Sequence, residues 1–125
     1  MGEVNGYFFD TYAFIEIISG NPRYHKYTQK VSIITSKLNL MELHYGLIRK
    51  YNESDADRCY DELVHFSVEP SDSAIKDASK FRHLFKSRNL SYVDCLGYVL
   101  AKKFNIKFLT GDEGFKDMEN VEFVK

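Results

Sequence analysis

The sequence predicts an α/β domain built on a mainly parallel sheet, and three observations carry that reading. Tyr7, Phe8 and Phe9 form a short apolar run without polar alternation, stopped abruptly by Asp10. That is the pattern of a strand buried on both faces. Strand-like runs return at residues 31–35 and 105–110, separated by stretches with helical spacing. The 125 residues are 44% hydrophobic and 15% aromatic, enough for one core and too few for a second domain.

Each element follows from its residues. Residues 12–18, apolar at 13, 14, 15, 17 and 18, read as a short, well-buried helix, with the Thr11 hydroxyl as its cap. Ser19, Gly20, Asn21 and Pro22 end it in a turn. Residues 23–30 are basic and aromatic with no acid, and the β-branched residues 31–35 make a second strand. Leu40, Leu43, Leu47, Ile48 and Tyr51 keep helical spacing over 37–51. A break at 52–55 precedes a helix that turns Cys59, Tyr60, Leu63 and Val64 inward. Residues 66–70 fit a small strand closed by Pro70. Ala74, Ala78, Phe81 and Phe85 mark a helix ending near Asn89. Ser91 opens another, with Val93, Leu96, Leu100, Ala101 and Phe104 at i, i+3, i+7, i+8 and i+11. Residues 105–110 form a strand, 111–114 a loop and 121–124 a final edge strand.

Composition narrows the function. No apolar run approaches the ~18 residues of a membrane span, and residues 1–6 lack the basic and apolar regions of a secretory leader. The expected location is the cytoplasm, where Cys59 and Cys95, matching no metal-ligand spacing, stay reduced. His25, His44, His65 and His83 share no spacing, which argues against zinc. The net charge of -1 argues at first against nucleic acid. With four acids set aside for a metal pocket, the remainder is mildly basic and compatible with RNA.

Four acids fall where strands end or helices begin. Asp10 closes the first strand and Asp112 follows the strand ending at Thr110. Parallel neighbours would bring both to the carboxyl edge of the sheet, where open α/β sheets place their ligands. Glu42 and Asp94 lie near helix starts that can reach the same edge. Clustered carboxylates repel unless a cation compensates, and all-oxygen sites suit Mg²⁺ or Mn²⁺. Each acid also has a structural reading. Asp10 can cap its helix, Asp112 a turn before Phe115, and Ser91 to Asp94 is a capping box. Glu42 stands three after Asn39, an equivalent arrangement.

The residues around these acids resemble the PIN domain, and VapC-type toxins within it. Asp10 lies in Phe8-Phe9-Asp10-Thr11, Glu42 in Asn39-Leu40-Met41-Glu42-Leu43-His44-Tyr45-Gly46-Leu47, Asp94 in Tyr92-Val93-Asp94-Cys95-Leu96-Gly97, and Asp112 in Phe108-Leu109-Thr110-Gly111-Asp112-Glu113. The resemblance covers essentially the whole chain as a single domain over residues 1–125. It implies a three-layer α/β/α fold with sheet order 3-2-1-4-5 and a Mg²⁺- or Mn²⁺-dependent endoribonuclease. Asp10, Glu42, Asp94 and Asp112 correspond to the catalytic acids, with Asp10, Asp94 and Asp112 nearest the metal. Thr110 matches a hydroxyl position of the family, and Thr11 and Asn39 support the site. A homodimer, a small antitoxin partner and an RNA substrate are implied as well. Residues 53–70 depart from the family pattern, so the partner surface does not transfer.

Arg23, Tyr24, Lys26, Tyr27 and Lys30 offer a second, weaker feature: cations and rings that could grip an RNA backbone and a base, or a partner. Their plainer reading is a solvated face, as it is for Lys80, Arg82, Lys86 and Arg88. Two other readings of the chain remain. A phosphoaspartyl hydrolase also begins with a strand ending in Asp, but Thr11-Tyr12 replaces the second acid it needs. An inactive PIN-like binding module would not need the intact set of acids.

Overall fold

In the computed structural model, which describes residues 5–125, strand alternation fixes the layers. β1 (Asn5–Phe9) is central. It pairs in parallel with β2 (Val31–Ile34) on one side and β3 (Lys107–Thr110) on the other. β4 (Val121–Phe123) runs parallel to β3, giving the order β2-β1-β3-β4. Successive side chains point to opposite faces. Phe8 and Phe108 therefore enter one core, and Phe9 and Leu109 the other. Residues 1–4, part of the start expected to lack a secretory leader, lie outside the described residues.

Helices cover both faces, as the α/β/α expectation requires. On the Phe9 side lie α1 (Thr11–Ile18), α2 (Lys37–Lys50) and α3 (Glu53–Leu63). On the Phe8 side lie α4 (Asp72–Leu84) and α5 (Tyr92–Lys103). α5 contributes an unbroken buried run from Cys95 to Ala101. It approaches the sheet closely because Gly97 has no side chain. A Cβ there would stand 2.8 Å from Phe8 Cε1 and 2.9 Å from Phe108 Cε1. Among the described residues no helix is long and apolar enough to cross a membrane, and both cysteines are free thiols.

Several expectations need correction. The strand expected at 66–70 shrinks to one parallel bridge between Thr35 and Ser67. A 3₁₀ turn at Val64–Phe66 precedes it and Pro70 follows, leaving only two ladder bonds, Thr35 N–H to Phe66 O and Val68 N–H to Thr35 O. Among the described residues the sheet thus has four strands rather than five; the bridge lies outside β2, so the order is otherwise as expected. α1 starts at Thr11 with Asp10, not Thr11, as its cap, and Ile15 and Ile18 stay about 40% exposed. α2 is capped by Ser36, whose Oγ accepts the Asn39 N–H, so Asn39 stands inside the first turn. Residues 22–28 form a 3₁₀ helix, in which i and i+3 share a face. Tyr24 and Tyr27 are consequently buried, and their rings are not available to stack on a base.

Candidate active site

The carboxyl ends of β1 and β3 meet because Phe9 pairs with Leu109, one residue before Asp10 and Thr110 respectively. Asp10 is almost wholly buried there. Its Oδ2 accepts the Thr110 hydroxyl at 2.7 Å, and its Oδ1 accepts the Thr11 N–H at 2.9 Å and an Asn39 Nδ2 hydrogen at 3.4 Å. Thr110 Oγ1 in turn accepts the Asp112 N–H at 3.1 Å. One hydroxyl therefore ties the first acid to the backbone of the last, across a sequence distance no local motif spans.

A second chain of hydrogen bonds reaches Glu42. The Ser36 hydroxyl donates to Asn39 Oδ1 at 2.7 Å, Asn39 Nδ2 donates to Thr11 Oγ1 at 3.2 Å, and the Thr11 hydroxyl donates to Glu42 Oε1 at 2.7 Å. Ser36, Asn39 and Thr11 are all buried. A fully connected polar network of this kind is rigid, because each member left alone would cost its desolvation. Among the described residues no buried side-chain polar atom lacks a partner. Ser36 escaped the sequence reading. Its signal was the spacing to Asn39, with both residues capping types three apart.

The other two acids are held by local caps. Ser91 N–H donates to Asp94 Oδ2 at 2.9 Å, and Asp94 N–H to Ser91 Oγ at 3.0 Å, completing the expected capping box. Asp112 accepts the Gly114 N–H at 2.9 Å and caps the short 3₁₀ turn Glu113–Phe115. Each acid thus has a structural task. The structure also brings Asp10, Glu42 and Asp94 into electrostatic reach of one another, and Asp112 into reach of Asp94.

The charges register that crowding. Burial, then the nearby Asp94, pushes the Asp10 carboxyl up from 3.8 to about 8, against the hydrogen bonds from Thr110 and Thr11, with Glu42 adding to the rise. Glu42 is raised by burial, held back by the Thr11 hydroxyl, and raised again by Asp94. Asp94 is raised by burial, opposed by the Ser91 bonds, and raised by Asp112. Among the described residues, no three acid, histidine or cysteine side chains are disposed to grip an ion in this arrangement. Their hydrogen bonds turn them to hydroxyls and backbone N–H groups instead. The donor set still fits a hard divalent cation: it is all oxygen, and burial together with like charge makes ionisation of Asp10, Glu42 and Asp94 costly unless a cation compensates.

Arg23, Lys26 and Lys30 are exposed. Tyr24 donates to Val124 O and Tyr27 to Glu122, so both fasten the C-terminal segment.

The sequence matches the PIN domain family profile over residues 7–121. No curated protein matches it. Among solved structures, VapC20 of Mycobacterium tuberculosis, a sarcin-ricin loop cleaving toxin, is similar with a TM-score of 0.76 and 19% identity, over 95% of this chain and 99% of that one. A toxin-antitoxin complex from Klebsiella pneumoniae is similar with a TM-score of 0.74 and 19% identity, over 92% and 94%. The DNA-bound VapBC of Salmonella typhimurium gives 0.75 and 14%, over 96% and 97%.

Proposed function

Because the chain belongs to the PIN domain family, we propose that it is a metal-dependent endoribonuclease cleaving RNA phosphodiester bonds, and the toxin of a toxin–antitoxin pair. One observation carries the reading: acids from four separate segments crowd together, Asp94 raising the cost of charge on Asp10 and Glu42, Glu42 on Asp10, and Asp112 on Asp94. A fold needs none of that repulsion for stability. A binding site for a cation and a phosphate does.

Asp10, Asp94 and Asp112 would hold Mg²⁺ or Mn²⁺. The ion supplies positive charge against the scissile phosphate and acidifies water. The chain's own residues do the rest. Thr110 and Thr11 fix the Asp10 carboxylate in one orientation. Thr11 occupies Glu42 Oε1, which directs Oε2 to orient the attacking water and take its proton. Water adds to phosphorus as the bond to the 3′-oxygen breaks. Asn39 and Ser36 keep Thr11 in register.

The protein would act as a single domain in the cytoplasm, where Cys59 and Cys95 remain thiols. Toxin–antitoxin complexes among the similar structures support an antitoxin partner, and a homodimer belongs to the same proposal. The exposed stripe Leu38, Met41 and Tyr45 on α2 gives such a partner apolar surface. Arg23, Lys26 and Lys30 add exposed charge for a partner or an RNA backbone.

The test is a Mn²⁺ titration of thermal stability on the wild type and Asp94→Asn. Asn keeps an oxygen for the Ser91 N–H, so the helix cap survives. Binding confined to the folded state must raise the melting temperature. The reading predicts a rise for the wild type and a much smaller one for the variant. An equal response, or none, would favour an inactive PIN-like module.

A further inference from the structure

The chain contains two basic and aromatic stretches, and the structure treats them oppositely. In residues 22–28 the rings are buried. Residues 78–93 hold Lys80, Arg82, His83, Lys86 and Arg88 and no acid. That stretch leads straight into Asp94, and its one tyrosine, Tyr92, is 70% exposed. We propose that Tyr92, backed by Arg82, is a stacking platform for an unpaired base of the RNA, a few nucleotides from the one whose phosphate enters the acidic pocket. This rests on the nuclease reading above and deepens it.

The geometry is that of a ring held ready. The Arg82 guanidinium lies 4.2 Å from the Tyr92 ring centroid. Its Nε donates to the Leu90 carbonyl at 3.1 Å, so the guanidinium is anchored rather than free to swing. A planar cation on one face fixes the ring's orientation and leaves the other face to solvent. Tyr92 and Asp94 share the first turn of α5, with backbones about 5 Å apart. Residues two apart leave a helix on different sides, so a strand crossing this end of the helix, about 10–12 Å wide, sets a base on the ring and a phosphate at the acids a few nucleotides apart.

The path continues past the platform. Arg88 reaches over to the loop after Asp112, donating to Gly114 O at 3.1 Å and Lys116 O at 3.3 Å. It thereby ties this basic stretch to the loop that follows Asp112. Exposed Lys86 precedes it. Basic side chains along a strand with an exposed ring among them are the general means of holding single-stranded nucleic acid without reading its sequence.

The experiment measures binding and cleavage separately. A labelled single-stranded RNA of about 12 nucleotides is titrated by anisotropy in EDTA, and the same RNA carrying 2-aminopurine reports stacking as quenching. Cleavage is followed with Mn²⁺. Tyr92→Leu should weaken binding about ten-fold or more and abolish the quenching, Tyr92→Phe should retain both, and both variants should melt like the wild type. If the wild type binds and cleaves RNA but Tyr92→Leu binds or quenches as well as it does, the platform is wrong and the nuclease stands. If the wild type neither binds nor cleaves, the nuclease reading falls and takes the platform with it.

Discussion

Asp10 makes the stability of the metal-free protein depend on pH in an unusual direction. An acid that titrates near 8 when folded and near 3.8 when unfolded binds its proton more tightly in the native state. Its contribution is fully present below pH 4 and is lost as pH rises through 8. Between those limits one proton is at stake, so stability falls by up to about 1.4 kcal/mol for each pH unit, or about 6 kcal/mol over the window. Asp10→Asn removes the titration. It sacrifices one acceptor for the Thr110 hydroxyl, a loss of about 1 kcal/mol. The variant should therefore be close to wild type near pH 5 and more stable by several kcal/mol at pH 8. Urea unfolding in EDTA at pH 5, 6, 7 and 8 measures the difference directly. Parallel curves for the two proteins, or a less stable variant at pH 8, would refute the claim that burial and like charge govern this carboxyl.

Other substitutions test the scaffold. Gly97→Ala forces a methyl against the Phe8 and Phe108 rings, which belong to the packed core. It should destabilise by about 1–3 kcal/mol in denaturant unfolding; a neutral result would mean that α5 can lift off the sheet freely. Ser36→Ala removes both the α2 cap and the partner of the buried Asn39 carbonyl oxygen. A loss of about 2 kcal/mol is expected, with weaker Mn²⁺ binding as Asn39 and Thr11 lose their alignment. Thr110→Val keeps the shape but deletes the hydroxyl that joins Asp10 to the Asp112 backbone. It should cost about 1–3 kcal/mol and lower any cleavage rate, whereas Thr110→Ser should restore much of both.

The parts of this architecture that depend on local chemistry were readable in the sequence. Tyr7 to Asp10 announced a buried strand with an acid at its end, and Ser91 to Asp94 announced a capping box; both are present. What escaped depends on contacts made at a distance. Asn39 and Ser36 are both good caps, and the choice between them turns on Asn39 being drawn inward to Thr11 and Asp10. Tyr24 and Tyr27 looked like surface rings because their neighbours are cations. A 3₁₀ helix put them on one face, against the core, while Arg23 and Lys26 kept the other. Residues 66–70 have the composition of a strand, but a turn and a proline leave them room for one bridge. The apolar pattern of α1 did not reveal that Ile15 and Ile18 face outward. Apolar residues at 13, 14, 15, 17 and 18 run round the helix, so periodicity alone did not mark its outer face.

The central claim is that these acids cut RNA with a divalent ion, and end-labelled single-stranded RNA tests it most directly. The wild type and Asp94→Asn, matched in melting temperature, are incubated with Mn²⁺ and with EDTA, and the product ends are identified. The account predicts cleavage by the wild type with Mn²⁺ alone, leaving 5′-phosphate and 3′-hydroxyl ends, and no cleavage by the variant. Cutting that persists in EDTA or in Asp94→Asn, or products ending in a 2′,3′-cyclic phosphate, would contradict it.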